Sequence, residues 1–324
     1  MSAAPDPRDP AVGFAHVAVL YDSDEQLRNV LSPHLAEALR RREQILAVIS
    51  DAAQRVLREA MGEAADRIHW GGPGLSSNRL GRVFGAFGDY LAQQCRAGVP
   101  TRVIGEPSSD ISPDRLSQYL RYVSMATEVY AQYRSPMLFL WDERRYSPEV
   151  LAQIRAIHPQ LLGSNGTIIN SEYRAPTDFL TASATSAPVV PADPDLDVSL
   201  ESADSLAELR RRLRSWGAAT TLNDTDTDDI VIAVDEIATN ALEHGDPPAR
   251  VRAWCTADAV FIRVDDHGRN GIPQTAGYVR PPTNARRGRG IWMARHLADV
   301  LTTHNSPAGT TVVLGFPRSA VNQL

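Results

Sequence analysis

Two α/β domains joined by a proline-rich tether make up the fold class that this sequence predicts, and three observations carry it. Its 324 residues exceed what one average core organises. The first half alternates β-branched runs with helical stretches, as in a doubly wound, mostly parallel sheet covered on both faces. Residues 173–197 are rich in Pro, Ala, Ser, Thr and Asp around SAPVVPADPDLD, too polar to bury a core, and read as a semi-extended linker.

The elements follow in order. Residues 1–11 are polar and proline-containing, with no apolar targeting segment, and are expected to be disordered. The first domain is expected over residues 12–172. It opens with a strand from Phe14 to Tyr21 and a helix from Asp24 to Arg42. A strand from Gln44 to Ile49, a helix from Asp51 to Asp66 and a short strand from Ile68 to Trp70 come next. Helices from Asn78 to Arg96 and Pro113 to Tyr133 then alternate with strands from Thr101 to Ile104 and Met137 to Trp141. A helix from Pro148 to Ile157 completes the unit. Gly71-Gly-Pro-Gly74 follows a strand but lacks the Gly-Lys-Ser/Thr ending of a phosphate loop, so it reads as a turn. His16 on the first strand is either a satisfied core residue or part of a ligand site.

The second domain, residues 198–318, carries four short motifs. The first lies on a helix from Asp226 to His244, where Ile230, Ala233, Val234, Ile237, Ala238 and Ala241 form one apolar face. Glu236, Asn240 and His244 stack four apart beside it. An amide oxygen at Asn240 suits Mg²⁺, a hard cation that keeps most of its waters. Glu236 suits deprotonation of a hydroxyl or water. Next, a strand from Ala259 to Val264 runs into Asp265-Asp266-His267-Gly268. A carboxylate there can accept from an exocyclic amine such as that of adenine, and the glycine lets a planar base approach. A loop from Arg269 to Arg287 has no periodicity, and loops this long are functional lids or disordered. It closes on Arg286-Arg-Gly-Arg-Gly290 before a helix from Ile291 to Asp299, a turn whose free N–H groups and helix dipole suit phosphate. Trp292 and Met293 on that helix read as core. Last comes Gly309-Thr310, a turn into a β-branched strand. Each motif alone also fits a plain stripe, turn or capped loop.

As an ordered set, these residues resemble the GHKL (Bergerat-fold) ATPase domain, and within it the RsbW/SpoIIAB-like anti-sigma factor kinases. Glu236…Asn240 is similar to the family's N box, Asp266-x-Gly268 to its G1 box, Gly288-x-Gly290 to its G2 box, and Gly309-Thr310 to its terminal Gly-Thr. The run GRGIWMARHLADVLTTHNSPAGTTVVL resembles the actinobacterial, RsbA-type branch. The G1 box departs from Asp-x-Gly-x-Gly, with Asn270 at the second glycine and Gly271 one place later. The resemblance implies an α/β sandwich that binds ATP through Asn240, Asp266, Gly268, Gly288, Arg289, Gly290 and Thr310, with Mg²⁺ on Asn240 and Glu236 as catalytic base. The first half is similar to MEDS sensory domains in HVAVLYDSDEQL, Glu43 and Arg102…Glu106, although LFLWDE replaces the usual Cys-containing strand. That resemblance implies a RecA-like sheet without a P-loop and a small-molecule signal.

Composition narrows the function. A net charge of −6 argues against direct nucleic-acid binding, and no apolar run approaches the length of a membrane span. The chain has no lysine, which excludes a Walker lysine and leaves phosphate to backbone N–H groups, Mg²⁺ and arginine. Cys95 and Cys255 form no pair or zinc spacing and read as buried, reduced thiols, as in a cytoplasmic protein. A histidine kinase needs a phosphorylatable histidine ahead of the ATPase, and Ser202 to Trp216 has none. A gyrase- or MutL-like ATPase needs a following transducer domain, and the sequence ends soon after the last strand. The resemblance implies a protein serine kinase acting on a STAS-type anti-sigma antagonist and binding a sigma factor. A nucleotide-dependent switch without catalysis, or an orphan histidine-kinase-like ATPase, is the alternative, and a homodimer stays open.

Overall fold

The computed structural model describes residues 14–71, 79–108, 111–184, 187–220, 222–282 and 288–318. The expectations for residues 1–11, for Gly72 to Gly74 and for Arg286 and Arg287 fall outside them. Of the described residues, those up to 71 and from 83 to 179 form one compact unit, and residues 79–82 and those from 180 onward another.

The first unit runs β1 (His16–Tyr21), α1 (Asp24–Arg40), β2 (Gln44–Val48), α2 (Asp51–Met61), β3 (Ile68–Trp70), α3 (Leu80–Ala97) and β4 (Thr101–Gly105). It continues through α4 (Pro113–Ser124), α5 (Ala126–Val129), β5 (Met137–Asp142), α6 (Pro148–Ile157), β6 (Gln160–Gly163) and β7 (Gly166–Ile169). The sheet order is β3-β2-β4-β5-β1-β6-β7, parallel except for β7. Four helices start the same way. Ser23, Ser50, Ser112 and Ser147 each accept the N–H three residues on, and Pro113 and Pro148 fill a position that needs no donor.

Alternation along the strands sends Val17, Val19, Ile45, Leu138 and Leu140 to one face, where Leu31, Leu35 and Leu57 of α1 and α2 cover them. His16, Phe139 and Trp141 face the other way, where Trp141 meets Tyr119 of α4 and all three rings meet His158. His16 is fully buried and its Nδ1 lies 2.9 Å from Thr127 Oγ1. Burial and the neighbouring His158 hold its imidazole neutral, well below the usual histidine range.

Four expectations shift. The helix read as Asp51 to Asp66 stops at Met61, because Gly62 takes φ +55° and the chain tightens into a 3₁₀ turn. The helix read as Pro113 to Tyr133 breaks into α4 and α5 at Met125. The segment read as an extended linker begins with a helix, α7 (Pro176–Ala182), whose Phe179 and Leu180 are buried. Cys95 is exposed and Cys255 half-buried, so neither is the buried thiol that composition implied. Glu43 and Arg102 form a buried ion pair at 2.8 Å. Glu106 accepts from Tyr21 Oη at 3.2 Å and from the Ser50 N–H at 2.8 Å. Glu106 therefore ties the ends of β1 and β4 to the start of α2, and the Glu43–Arg102 pair ties the entry of β2 to that of β4.

The second unit runs β8 (Leu196–Leu200), α8 (Ser205–Ala219), α9 (Asp224–His244), β9 (Ala249–Cys255), β10 (Ala259–Asp266), α10 (Arg289–Leu297), β11 (Val300–Ser306) and β12 (Gly309–Pro317). Its sheet, ordered β11-β12-β10-β9-β8, is antiparallel throughout. Asn223 caps α9 by accepting the Asp226 N–H at 2.8 Å. The apolar face of α9, Ile230 to Ala241, is buried with Leu209 and Leu213 of α8 against Val251, Ile262 and Leu314. Each large aliphatic side chain buried here contributes ~1.5–3 kcal/mol. The result is a two-layer α/β unit with helices on one face of an antiparallel sheet.

Candidate nucleotide-binding site

Four elements of the second unit converge on a cavity of about 350 Å³. Helix α9 contributes Asn240 and His244; the exit of β10 contributes Asp266 and Gly268. The entry of α10 contributes Gly288 and Gly290, and the start of β12 contributes Thr310. The register explains the meeting of the β10 and β12 residues. Asp266 pairs with Thr310 and Asp265 with Thr311, so the first pair faces the cavity together and the second faces the opposite side of the sheet.

Close backbone approach holds the cavity's shape. A Cβ built on Gly309, which takes φ +135°, would lie 1.9 Å from the Asp266 carbonyl oxygen. Only glycine fits the turn that brings β12 against the end of β10. Gly288 takes φ +85° as the left-handed entry to α10. A Cβ on Gly290 would lie 2.6 Å from Glu236 Oε2 and 3.1 Å from Asn240 Nδ2. The glycine-rich turn is thus pressed onto the carboxylate and carboxamide of α9, and the N–H groups opening α10 lie beside them.

Asp266 is half-buried, and its Oδ1 accepts the Gly268 N–H at 2.7 Å. Burial raises its carboxyl above the ordinary carboxylate range, against the hydrogen bonds from the Gly268 and Thr310 backbone. Burial, and then neighbouring Asp235, raise Glu236 as well. Asp265 goes the other way. Burial would raise it, but hydrogen bonds from Arg263, Thr311 and Arg252 outweigh that and lower it. This anchor on the far face fixes the strand end that carries Asp266.

The loop after Asp266 is tied down through much of its length. Asn305 on β11 clasps Ile272, accepting its N–H and donating to its carbonyl, both at 2.9 Å. Gln274 donates to Thr303 O at 2.7 Å. Arg295 of α10, 2% exposed, donates to the carbonyls of Ala276 and Leu301 and lies 3.8 Å over the Tyr278 ring. Gly271, one place after the G1 box's second-glycine position, takes φ +61° against Asn305.

Six of the eight residues singled out in the sequence line the cavity: Asn240, Asp266, Gly268, Gly288, Gly290 and Thr310. Glu236 does not line it and sits behind Gly290. Arg289 is exposed, with a guanidinium nitrogen 3.4 Å from the Pro282 carbonyl oxygen. Trp292 and Met293, read as core, are half-buried, and Trp292 stacks on His296 at 5.3 Å with Arg280 at 5.4 Å. Sequence reasoning missed Gly245, Arg295 and Asn305. Gly245 directly follows the helix and looks like an ordinary helix stop. The other two carry no local signal, because what they hold is distant in the chain.

The residues fit ATP chemistry. The cavity offers a half-buried carboxylate for an amine, glycines that admit a flat base and phosphates, and a helix entry for anionic oxygens. Among the described residues no group of three or more His, Cys, Asp or Glu could hold a metal ion. One amide oxygen at Asn240 suits a Mg²⁺ that takes its remaining ligands from phosphates and water.

Comparison with known proteins agrees with the two-unit division. Residues 200–316 match the histidine kinase-like ATPase domain family, and residues 15–159 match MEDS, the methanogen/methylotroph DcmR sensory domain. A search of curated proteins found no match. Among solved structures, the RsbU and RsbW domains of Rv1364c from Mycobacterium tuberculosis are similar at 26% identity, with a TM-score of 0.31. The match covers 40% of this chain and 34% of that one, about a third of its length. The chain therefore joins a MEDS domain to a histidine kinase-like ATPase domain. No helix among the described residues is long and apolar enough to cross a membrane.

Proposed function

We propose that the second unit binds Mg·ATP and transfers its γ-phosphate to a serine hydroxyl of a STAS-type anti-sigma antagonist, under control of a signal received by the MEDS domain. The observation that carries this reading is the meeting of Asn240, Asp266 and Gly290 around one cavity. It supplies an adenine acceptor, a metal ligand and a phosphate cradle in one place. Asp266 would accept from the adenine amine, and Gly268 and Gly245 leave room for the base. The N–H groups opening α10 would hold phosphate oxygens. Magnesium, held through Asn240, would neutralise phosphate charge as transfer proceeds. The serine oxygen bonds to the γ-phosphorus as the bond to the ADP oxygen breaks, and the serine proton passes to Glu236. A carboxyl raised toward neutrality is a stronger base once ionised, which suits Glu236 to that transfer.

One observation favours a second reading. The Glu236 carboxylate lies against Gly290 and does not line the cavity, an arrangement that also suits a nucleotide-dependent switch that sequesters a sigma factor or antagonist without catalysis. Incubating the full chain with Mg·[γ-³²P]ATP and STAS-type antagonists separates the two. Label on an antagonist serine supports the kinase. ATP-dependent binding of a sigma factor or antagonist with no label supports the switch.

A further inference from the structure

Gly245 does more than leave room for the base: the cavity is built around its missing side chain. Helix α9 ends at His244, and Gly245 follows at φ −87°, ψ −178°, a backbone conformation open to any residue. Conformational freedom therefore does not call for glycine here. Space does. A Cβ on Gly245 would stand 2.6 Å from Asp266 Cγ, 2.7 Å from its Oδ1 and 2.4 Å from the Ala241 carbonyl oxygen. From the other side, a Cβ on Gly268 would stand 2.6 Å from Gly245 Cα and 2.9 Å from the same Oδ1. The Asp266 carboxylate is thus seated between two bare α-carbons, with Oδ1 on the Gly268 N–H at 2.7 Å. All three residues line the cavity.

We infer that Gly245 is a specificity-determining positioning residue: its bare α-carbon is the seat that holds the Asp266 carboxylate at the depth where it reads a purine 6-amino group. This rests on the cavity being an adenine-nucleotide site. A methyl at position 245 meets two neighbours. The Ala241 carbonyl belongs to the last turn of α9 and accepts the Gly245 N–H at 3.0 Å, so it is held in the helix. The carboxylate hangs on a rotatable side chain, so it is the group that gives way. Turned from its seat, it loses the Gly268 N–H and its aim at the base. The phosphate-facing part of the cavity, at Gly288 and Gly290, is formed by other elements.

The test measures affinities of the full chain for Mg·ATP and for Mg·purine riboside triphosphate, which lacks the 6-amino group. Wild type should prefer ATP. G245A should lose ATP affinity roughly ten- to hundredfold, the scale of one well-made hydrogen bond, while the analogue changes by less than about threefold. A control crowds the same unit away from the cavity. A Cβ on Gly217 would stand 2.6 Å from Thr227 Cγ2, so G217A should lower the melting temperature and keep the wild-type preference. If G245A does not fold, G268A drives a methyl toward the same oxygen and takes its place. Equal loss of both nucleotides, or no loss of either, overturns the inference while leaving the adenine site intact. Wild type that binds neither nucleotide overturns the site itself, and the inference with it.

Discussion

Replacing Asp266 by asparagine keeps the size of the side chain and changes only what it offers. In the wild type, Oδ1 accepts the Gly268 N–H at 2.7 Å, and the Thr310 backbone also bonds the carboxylate. Asparagine has one acceptor oxygen, and the Gly268 N–H claims it. The amide NH₂ is then left for the base, so a donor meets the adenine amine. Losing a hydrogen bond to a charged group costs ~1.5–3 kcal/mol, and leaving opposed donors adds about 1, so ATP affinity should fall on the order of 10²- to 10³-fold. The acid side sharpens the test. Burial raises the Asp266 carboxyl, so its acceptor form is lost as pH falls through a range above that of ordinary carboxylates. Wild-type ATP affinity should decline there and D266N should not follow. Glu236 and His244 lie near the same cavity, so the readout is the difference between the two profiles, by calorimetry. Stability moves oppositely. A carboxyl raised by folding contributes stability below its unfolded pKa that is lost as pH rises through the folded one. Ligand-free D266N should therefore melt no lower than wild type at pH 7. Equal ATP affinity in the two proteins, or an acid decline that persists in D266N, refutes the adenine-reading role.

Three further outcomes are expected. E236Q should keep ATP affinity in calorimetry and lose phosphate transfer to an antagonist by about 10²-fold or more, the usual scale for a general base. N240A should remove the dependence of ATP affinity on Mg²⁺, so that chelation weakens binding in wild type and leaves the variant unchanged. R295A strips the Ala276 and Leu301 carbonyls of a buried charged donor and frees the Tyr278 ring. It should destabilise the unit by about 2–4 kcal/mol in urea unfolding and speed hydrogen exchange across residues 274–278.

Much of this architecture was legible because it rests on local pattern. The face of Ile230, Ala233, Val234, Ile237, Ala238 and Ala241 is buried as its spacing required, and the same spacing sets Asn240 on the adjoining stripe. Alternating β-branched runs and helices gave the parallel sheet of the first unit, where the serine caps agree with the pattern. What stayed hidden is long-range or breaks the period. Strand β11 opens with β-branched Val300, Thr302 and Thr303 but turns polar at His304, Asn305 and Ser306, and pairing with β12 carries it through them. Buried Arg295 looks like a solvated helix charge until Tyr278 and two carbonyls are found beside it. Trp292 reads as core by size, but α10 turns it outward to stack on His296. Gly245 reads as a helix stop, and its contact with Asp266 joins residues twenty-one positions apart.

If the cavity between α9 and α10 takes ATP, titrating the 324-residue chain with Mg·ATP in a calorimeter will show it. Saturable binding at one site per chain is expected, and D266N should abolish it or weaken it on the order of 10²-fold or more. No binding by the wild type, or binding that D266N leaves untouched, contradicts an ATP site in this cavity.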